Sequence, residues 1–594
     1  MAIQMDQQVI VDFDVPAKMR DGTILRANVY RPAGEGKWPV LLTRLPYGKD
    51  FPIGSSVIDP NQVARRGYVV IVQDTRGRWT SEGQWEPFRN EAVDGFDTIQ
   101  WASQLPYSNG SVGMYGVSYF GFTQWAAAIL QPPALKTMVP MVTWNDPLNG
   151  LTSRGGAMEF GSGASWSLQT MSLNILSRRY AADPQTLGRA MYGLVQDIDA
   201  LGSRGYWELP LKDFGPLKRS DVAENFFEGI EKPMDRETVD PFTILGKHEQ
   251  VTVPTLNIGG WYDIFLKDTI ENFTIMRQHG STPEARQSKL LIGPWTHTGY
   301  MNPIGEMNFG FASTAAFINM QIDLVSFQVR WFDHWLKGKD TGMLREAPIK
   351  LFIMGANVWR DEQEWPLARA VNTNYYLHSQ GKANTLNGDG LLSTQAPDAE
   401  PSDHYDYDSA HPVMTLGGAL LMAPEFRPGP FDQRSTESRT DVLVYTTPVL
   451  EQDIEVTGPI LVHLWATSST PDTDFVARLV DVHPDGYAQN LTDGIIRARY
   501  RNFAHCEAPS LIEPDKAYEY EIDLWATSNV FKAGHRIRLD VTSSSFPRWD
   551  RNPNTGHALG ADAELVVAHQ TILHDREHPS HVVLPIVPAA SQAQ

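Results

Sequence analysis

One serine, one aspartate and one histidine occur in the order Ser118, Asp263 and His297, each shortly after an apolar run. The three segments are Val112-Gly-Met-Tyr-Gly-Val-Ser118, Leu256-Asn-Ile-Gly-Gly-Trp-Tyr-Asp263 and Leu290-Leu-Ile-Gly-Pro-Trp-Thr-His297. A serine becomes a nucleophile when a histidine accepts its proton and a carboxylate orients the imidazole. On a doubly wound hydrolase sheet these partners follow the serine in this order, after later strands. The order therefore predicts acyl-transfer chemistry by a Ser118–His297–Asp263 triad.

The serine lies on a predicted strand-to-helix turn, Gly116-Val-Ser118-Tyr-Phe-Gly121. Such a turn strains the backbone and needs small neighbours, so that the serine oxygen can project toward a substrate. Gly116 and Gly121 supply that room. The segment departs from the usual G-x-S-x-G pattern, because Phe120 occupies the position of the second glycine and Gly121 comes one residue later.

Short apolar runs alternate with helical patterns in the first half of the chain, which is typical of a parallel sheet covered by helices. The predicted buried strands are residues 39–43, 68–72, 112–115, 138–142, 256–259 and 290–293. Between residues 144 and 254 helical spacing takes over, and Asp183 followed by Pro184 predicts a helix start there. A further helix is predicted at about residues 314–336, ending at Gly338.

Beyond about residue 348 the apolar residues recur with period two. In residues 535–542, for example, Ile537, Leu539 and Val541 fall on one face of a predicted strand, whereas Arg538 and Asp540 fall on the other. The chain is therefore predicted to have an α/β fold: a doubly wound sheet, an inserted helical cap and a C-terminal β-sandwich. The predicted boundaries are 1–145 and 246–350 for the sheet domain, 146–245 for the cap and 351–594 for the sandwich.

The composition is that of a globular protein with an acidic surface. Among 594 residues, 42% are hydrophobic, and 70 acidic against 50 basic side chains give a formal charge of -20. Such a surface repels nucleic acids and anionic membranes. The apolar segment 125–144 is interrupted by three prolines, Gln131 and Lys136, so we expect no membrane span. Asp6 lies where a signal peptide needs an apolar run, which favours a cytoplasmic location.

Metal-binding patterns are weak in this sequence. The single cysteine, Cys506, cannot form an intramolecular disulfide or a Cys/His finger. His574 and His578 have the spacing of metal ligands on a helix, with His581 nearby, but Pro579 disfavours a helical conformation at His578. We therefore expect neither a metal nor a cofactor.

The segments around the predicted triad, together with Asp74-Thr-Arg-Gly77, closely resemble the cocaine esterase-like branch of the X-Pro dipeptidyl-peptidase (S15) family of α/β-hydrolases. The resemblance covers nearly the whole chain and includes Arg44-Leu-Pro-Tyr-Gly48, Trp359-Arg-Asp-Glu-Gln-Glu-Trp365, Thr527-Ser-Asn-Val-Phe531 and Ser543-Ser-Ser-Phe-Pro547. It implies a hydrolase core, an inserted cap and a C-terminal jelly roll, in agreement with the boundaries predicted from periodicity. The resemblance and the long β-rich part also favour a homodimer.

The resemblance also implies an oxyanion hole with two donors. One is a tyrosine hydroxyl, which falls on Tyr47, and the other is the backbone N–H after the nucleophile, that of Tyr119. Two donors aimed at a developing oxyanion stabilise a transition state by several kcal/mol. Asp74 and Arg76 are expected to form a structural ion pair outside this chemistry.

Five residues align with positions that line the acyl pocket in this branch: Trp144, Trp166, Phe265, Leu421 and Met422. Relatives that act on α-amino acyl groups have acidic residues near the triad aspartate, which bind the substrate ammonium. Here Ile264, Phe265 and Leu266 follow Asp263 instead. An apolar wall favours an uncharged acyl group. Asp268 is the nearest acidic residue that would oppose this interpretation.

The sequence thus predicts a serine carboxylesterase that hydrolyses small-molecule esters with aryl, benzoyl or other apolar acyl groups, and some amides, through an acyl-enzyme. An α-amino acid ester hydrolase or β-lactam acylase, and an X-Pro dipeptidyl-peptidase, stay as alternatives among enzymes. The alternative outside enzymes is a vestigial hydrolase that acts as a binding module.

Overall fold

The computed structural model describes residues 8–503 and 508–588, so Cys506 lies outside the described residues. Within these ranges every helix is too short or too polar to span a bilayer.

Twelve strands precede residue 363, and ten of them form one sheet in the order β1-β2-β4-β3-β5-β6-β9-β10-β11-β12. The remaining two, β7 and β8, pair only with each other. The strands are β1 (Val9–Lys18), β2 (Ile24–Pro32), β3 (Trp38–Leu45), β4 (Val69–Asp74), β5 (Ser108–Val117), β6 (Leu135–Met141), β7 (Ser153–Arg154), β8 (Ala157–Met158), β9 (Leu256–Tyr262), β10 (Lys289–Thr296), β11 (Ile349–Ile353) and β12 (Val358–Glu362).

The centre of this sheet is parallel, as the sequence predicts. Strands β4, β3, β5, β6, β9, β10 and β11 run in one direction, whereas β1, β2 and β12 pair antiparallel at the two edges. The six predicted strands correspond to β3–β6, β9 and β10. The boundary predicted at residue 350 falls within β11, because β11 pairs with β10 and the sheet continues through β12 to Glu362.

Helices cover this sheet and fill the region between β6 and β9. They are α1 (Pro60–Ala64), α2 (Glu91–Ser103), α3 (Ser118–Ile129), α4 (Phe160–Ser165), α5 (Ser172–Arg179), α6 (Pro184–Asp199), α7 (Gly215–Ser220), α8 (Glu224–Glu231), α9 (Arg236–Val239), α10 (Leu266–His279) and α11 (Leu324–Lys337). A short helix, α12 (Arg434–Glu437), lies in the later, β-rich part of the chain. Helix α6 begins as the sequence predicts, because the Asp183 carboxylate accepts the N–H of Thr186 at 3.0 Å. Helix α11 begins about ten residues later than predicted, where Asp323 caps the N–H of Ser326 at 2.8 Å.

In the described residues after 370, eleven strands form a second, β-rich part. They are β13 (Val371–His378), β14 (Leu391–Ser393), β15 (Asp403–Tyr407), β16 (Leu443–Thr446), β17 (Ile454–Ser468), β18 (Asp474–Val482), β19 (Ala488–Arg497), β20 (Tyr518–Phe531), β21 (Arg536–Thr542), β22 (Ala568–Leu573) and β23 (His581–Val587). In β21 the apolar face is buried as predicted, but Arg538 and Asp540 on the other face are buried too. Arg538 pairs with Glu437, and Asp540 lies 3.7 Å from the Arg478 guanidinium. These opposite charges partly offset the cost of burying the second face.

The sheet domain and the β-rich part share one hydrophobic core. A single cluster of buried side chains includes Ile258 and Phe352 from the first sheet and Leu464 and Ile522 from the second. The two parts therefore pack against each other as a continuous interior.

Candidate active site

Three strands of the first sheet end side by side and carry the residues of the predicted triad. In the parallel register Val117 pairs with Met141, Met141 with Ile258, and Gly260 with Gly293. The carboxyl ends of β5, β9 and β10 consequently lie at one edge of the sheet. Ser118, Asp263 and His297 are the residues that directly follow these three strands.

The turn at Ser118 is strained and tightly packed. Ser118 has a left-handed backbone with φ of +53° and is the first residue of α3. Gly116, with φ of +147°, leaves no space for a side chain, because a Cβ there would lie 2.3 Å from the Phe120 ring. At Gly121 a Cβ would lie 2.8 Å from Cβ of Thr143. The glycine after Phe120 thus allows α3 to approach the segment after β6, and this explains the shifted glycine spacing.

Asp263 and His297 form a buried hydrogen-bonded pair. His297 Nδ1 lies 2.6 Å from Asp263 Oδ1, and the other carboxylate oxygen accepts the N–H of Phe265 at 3.0 Å. The Tyr300 hydroxyl donates to the carbonyl of His297 at 3.2 Å. Because a carboxylate accepts at Nδ1, the neutral imidazole carries its hydrogen there and leaves Nε2 as the basic atom.

Phe265 contacts His297 and lies at the cavity that Ser118 also lines. Its ring meets the His297 ring edge-on, with centroids 5.4 Å apart, and it lines the same cavity as Ser118. The hydrogen bonds among the described residues include none between Ser118 and His297. In structures without substrate, hydrogen bonds of this kind are often long and tighten when the substrate binds.

Tyr47 lines the same cavity as Ser118, and its hydroxyl donates to no other group in the described part of the chain. The Trp166 indole N–H donates to the Tyr47 oxygen at 3.2 Å, and the Tyr47 ring packs edge-on against Tyr119 and Phe120. Arg78 Nε donates to the carbonyl of Pro46 at 2.9 Å, which holds the backbone next to Tyr47. Burial raises the pKa of Tyr47 to about 12. The phenol therefore stays neutral at physiological pH and can donate its hydrogen.

The backbone N–H of Tyr119 is the candidate oxyanion donor of this residue, because the hydroxyl of its side chain is hydrogen-bonded to other residues. The hydroxyl donates to Glu91 at 2.8 Å and accepts the N–H of Phe88 at 3.0 Å. Burial and the adjacent Glu91 carboxylate raise the pKa of Tyr119 well above its ordinary value. The N–H groups of the first helical turn have no partner within the helix, and no side chain caps α3. The Tyr119 N–H thus lies at the positive end of this helix.

Ser118 lines an aromatic cavity of about 100 Å³ that is partly open to solvent. Four of the five predicted pocket residues line it: Trp144, Trp166, Phe265 and Leu421. Met422 instead packs against Gly161 and the apolar side chains of the helical region. Phe88 also lines the cavity, although the sequence patterns above do not mark it. Its ring lies parallel to that of Trp166, with centroids 5.8 Å apart.

One carboxylate, that of Glu159, also lines the cavity, and it is already partnered. It accepts the indole N–H of Trp549 at 2.9 Å and lies 3.9 Å from the Arg548 guanidinium. Burial raises its pKa. Asp268, the acidic residue nearest in sequence to Asp263, is buried and accepts the N–H of Asn145 at 3.1 Å, so it is not a lining residue.

The prediction of an ion pair between Asp74 and Arg76 is wrong. Arg76 pairs with Asp94 at 2.6 Å and with Asp21 at 2.8 Å. Asp74 instead accepts the N–H of Lys49 at 2.7 Å, and burial raises its pKa to about 6. Although Asp74 and Arg76 are only two positions apart in sequence, their side chains have partners in different parts of the chain.

The three clustered histidines of the C-terminal segment have separate partners. His574 Nε2 lies 2.9 Å from Asp403, and His578 Nδ1 lies 3.1 Å from Asp575. The His581 ring stacks on that of His463.

Comparisons with known proteins show the family and the fold to which the chain is similar. Residues 21–299 match the X-Pro dipeptidyl-peptidase (S15 family) model, and residues 341–583 match the X-Pro dipeptidyl-peptidase C-terminal non-catalytic domain. A cocaine esterase from Rhodococcus sp. is 36% identical over 593 residues, which cover 98% of this chain and 100% of that protein. Among solved structures, an aminopeptidase from a marine sediment archaeon has a TM-score of 0.79 at 25% identity, covering 99% of this chain and 98% of its own. An α-amino acid ester hydrolase has a TM-score of 0.79 at 24% identity with the same coverage.

The fold and these relatives define the class: the protein is a serine hydrolase with an α/β-hydrolase domain and a C-terminal β-rich domain. More particularly, the chain belongs to the X-Pro dipeptidyl-peptidase (S15) family, in its cocaine esterase-like branch.

Replacing Gly116 by alanine should destabilise the turn that carries Ser118. The new Cβ would meet both the ring and, at 2.7 Å, the backbone oxygen of Phe120, in a backbone region unfavourable for alanine. We expect a loss of about 1 to 3 kcal/mol in the free energy of unfolding, measured with urea, and a fall in kcat/KM. The control is Gly193 on α6, where a Cβ would lie in open space, more than 4 Å from any other element. Its alanine variant should be as stable as the wild type or slightly more so, and equal stability of both variants would contradict the prediction.

Proposed function

We propose that the protein hydrolyses carboxylic esters through an acyl-enzyme on Ser118. The observation that carries the proposal is the buried Asp263–His297 pair at 2.6 Å, at the same sheet edge as the strained Ser118 turn. The 36% identity to a cocaine esterase over nearly the whole chain supports ester hydrolysis as the reaction.

In the first step His297 Nε2 accepts the Ser118 proton while Oγ bonds to the ester carbonyl carbon. The carbonyl oxygen becomes an oxyanion, which accepts hydrogen bonds from the Tyr47 hydroxyl and the Tyr119 N–H. Collapse of the intermediate breaks the bond to the alcohol oxygen. The alcohol leaves with the proton that His297 received.

In the second step water replaces the alcohol. His297 takes a proton from the water as its oxygen attacks the acyl carbon, and the same two donors hold the second oxyanion. The proton then returns to Ser118 Oγ, and the carboxylic acid is released. Asp263 keeps its negative charge throughout and stabilises the imidazolium that forms twice in the cycle.

The proposed substrates have uncharged, apolar acyl groups. Phe88, Trp144 and Phe265 give the cavity aromatic walls, and an ammonium group buried there would need an unoccupied carboxylate. Glu159 is the carboxylate at this cavity, and it already accepts a hydrogen bond from Trp549 and lies 3.9 Å from the Arg548 guanidinium. The lining therefore favours benzoyl, aryl or alkyl esters over α-amino acyl esters.

Replacing Ser118 by alanine should lower kcat/KM for a phenyl or benzoyl ester by roughly 10⁴-fold or more, because the nucleophile is lost. The matched control is Ser162→Ala, since Ser162 also lines the cavity but donates to the carbonyl of Glu159. A fluorophosphonate probe should label the wild type and the control variant but not the Ser118 variant. Near wild-type turnover without Ser118 would refute the assignment, and an unreactive wild type would favour a vestigial hydrolase.

Replacing Tyr47 by phenylalanine should lower kcat by roughly 10²- to 10³-fold with little change in KM, because one oxyanion donor is lost. Tyr206→Phe is a suitable control, since it also removes a buried hydroxyl, one that donates to the carbonyl of Gly161.

The donating form of Tyr47 exists below its pKa of about 12. The kcat of the wild type should therefore show no decline between about pH 8 and pH 10. A decline there that disappears in the Tyr47 variant would show that this phenol ionises earlier.

A substrate panel tests the acyl specificity. We expect a benzoyl or phenyl ester to exceed a glycyl ester and an X-Pro amide in kcat/KM by at least tenfold, since the cavity has no free carboxylate for an ammonium among its described lining residues. The Ser118→Ala protein serves as the blank for each compound. Preference for the free α-amino substrate would instead favour an α-amino acid ester hydrolase or a dipeptidyl-peptidase.

A further inference from the structure

Two histidines and one aspartate converge at the end of two paired strands in the β-rich part. Asp481 lies near the end of β18, His483 follows that strand, and His535 directly precedes β21. Strands β18 and β21 pair antiparallel, so these three residues meet although they are about 50 positions apart in sequence. One donor atom from each lies within 4.8 Å of the other two.

The two imidazoles face each other across the cluster. Their ring centroids are 4.5 Å apart with an interplanar angle of 33°, and His535 Nδ1 lies 2.8 Å from Asp481 Oδ1. His483 Nε2 lies 3.2 Å from the Gln489 side-chain oxygen. Because that oxygen can only accept, Nε2 of His483 carries the hydrogen and Nδ1 keeps its lone pair.

Outer partners hold these side chains in position. Asn529 Nδ2 donates to the second oxygen of Asp481 at 3.1 Å, and Gln489 Nε2 donates to the Tyr262 hydroxyl at 3.3 Å. Such partners commonly orient the ligands of metal sites. Asp481 is buried, whereas both histidines are partly exposed, so an ion could enter from solvent.

We propose that Asp481, His483 and His535 bind one divalent first-row transition-metal ion, such as Zn²⁺. Two imidazoles and one carboxylate suit this class of ion, whereas Mg²⁺ and Ca²⁺ prefer oxygen ligands alone. The ion replaces the proton between His535 and Asp481. Ligand atoms on a tetrahedral zinc ion are ~3.4 Å apart, so that pair opens only slightly from 2.8 Å. Water completes the coordination.

The site also adjoins the hydrolase domain. Gln489 contacts both His483 and Tyr262, and Tyr262 is the last residue of β9, directly before Asp263. An ion held here ties β18 and β21 together next to the junction of the two domains. Zinc should therefore raise the thermal midpoint of the full chain, because it binds the folded state.

Calorimetric titration of ZnCl₂ into the EDTA-treated full chain tests the proposal. We expect one ion per chain, with affinity at least tenfold weaker in His483→Gln and His535→Asn. The first substitution keeps a hydrogen-bonding side chain beside Gln489. The control is His569→Ala, which removes an exposed histidine hydrogen-bonded to Asp406 at 2.6 Å and should bind zinc as the wild type does.

Two results would overturn the site: no zinc binding by the wild type, or binding by the two ligand variants that is as tight as that of the wild type. Circular dichroism of the EDTA-treated variants checks that they are folded. A zinc-dependent rise in the thermal midpoint should occur in the wild type and in His569→Ala but be lost in His483→Gln. Ester hydrolysis measured in EDTA does not depend on zinc binding. The metal site and the proposed function are therefore tested by separate measurements.

Discussion

The strained backbone at Ser118 is the constraint on which the rest of the site depends. A serine with φ of +53° costs of order 1 to 3 kcal/mol and persists only where its surroundings hold it. Strand β5, fixed between β3 and β6, holds the turn from one side, and α3 holds it from the other. Gly116 and Gly121 permit the close approach of these elements. The Thr143 hydroxyl adds a hydrogen bond to the carbonyl of Ser118 at 2.8 Å.

The cavity beside this turn is built by three parts of the chain. Phe265 comes from the sheet domain, Trp166 from the helical region and Leu421 from the β-rich part. Buried Arg154 joins two of these parts: it donates to the carbonyl of Asp523 at 3.0 Å and lies 3.8 Å from the centroid of the Trp525 ring. Because no single part encloses the cavity, its shape depends on how the domains pack. The acyl specificity that we propose therefore depends on all three parts of the chain.

The apolar pattern could predict the central parallel strands, which are continuous buried runs, and α6, whose apolar side chains pack on one face. It could not predict the antiparallel edges, since β1 and β12 have no fully buried face. Order along the chain and resemblance were enough to select Asp263 and His297 as a candidate pair, and the structure places them within hydrogen-bond distance after two well-defined strands. Phe88 lies in an irregular segment with φ of +70°, so no repeating pattern marks it as part of the cavity.

Tyr119 shows why the role of a side chain near the site cannot be predicted from sequence spacing alone. Its hydroxyl donates to Glu91 on α2, and Glu91 in turn lies 3.0 Å from the buried Arg44 guanidinium. A buried carboxylate without such partners would be costly, so the three groups stabilise one another. The tyrosine side chain thereby anchors the first turn of α3 to α2 and β3. Since the hydroxyl is occupied in this network, the backbone N–H of Tyr119 is the group we propose as an oxyanion donor, and the side chain helps to fix the position of that N–H.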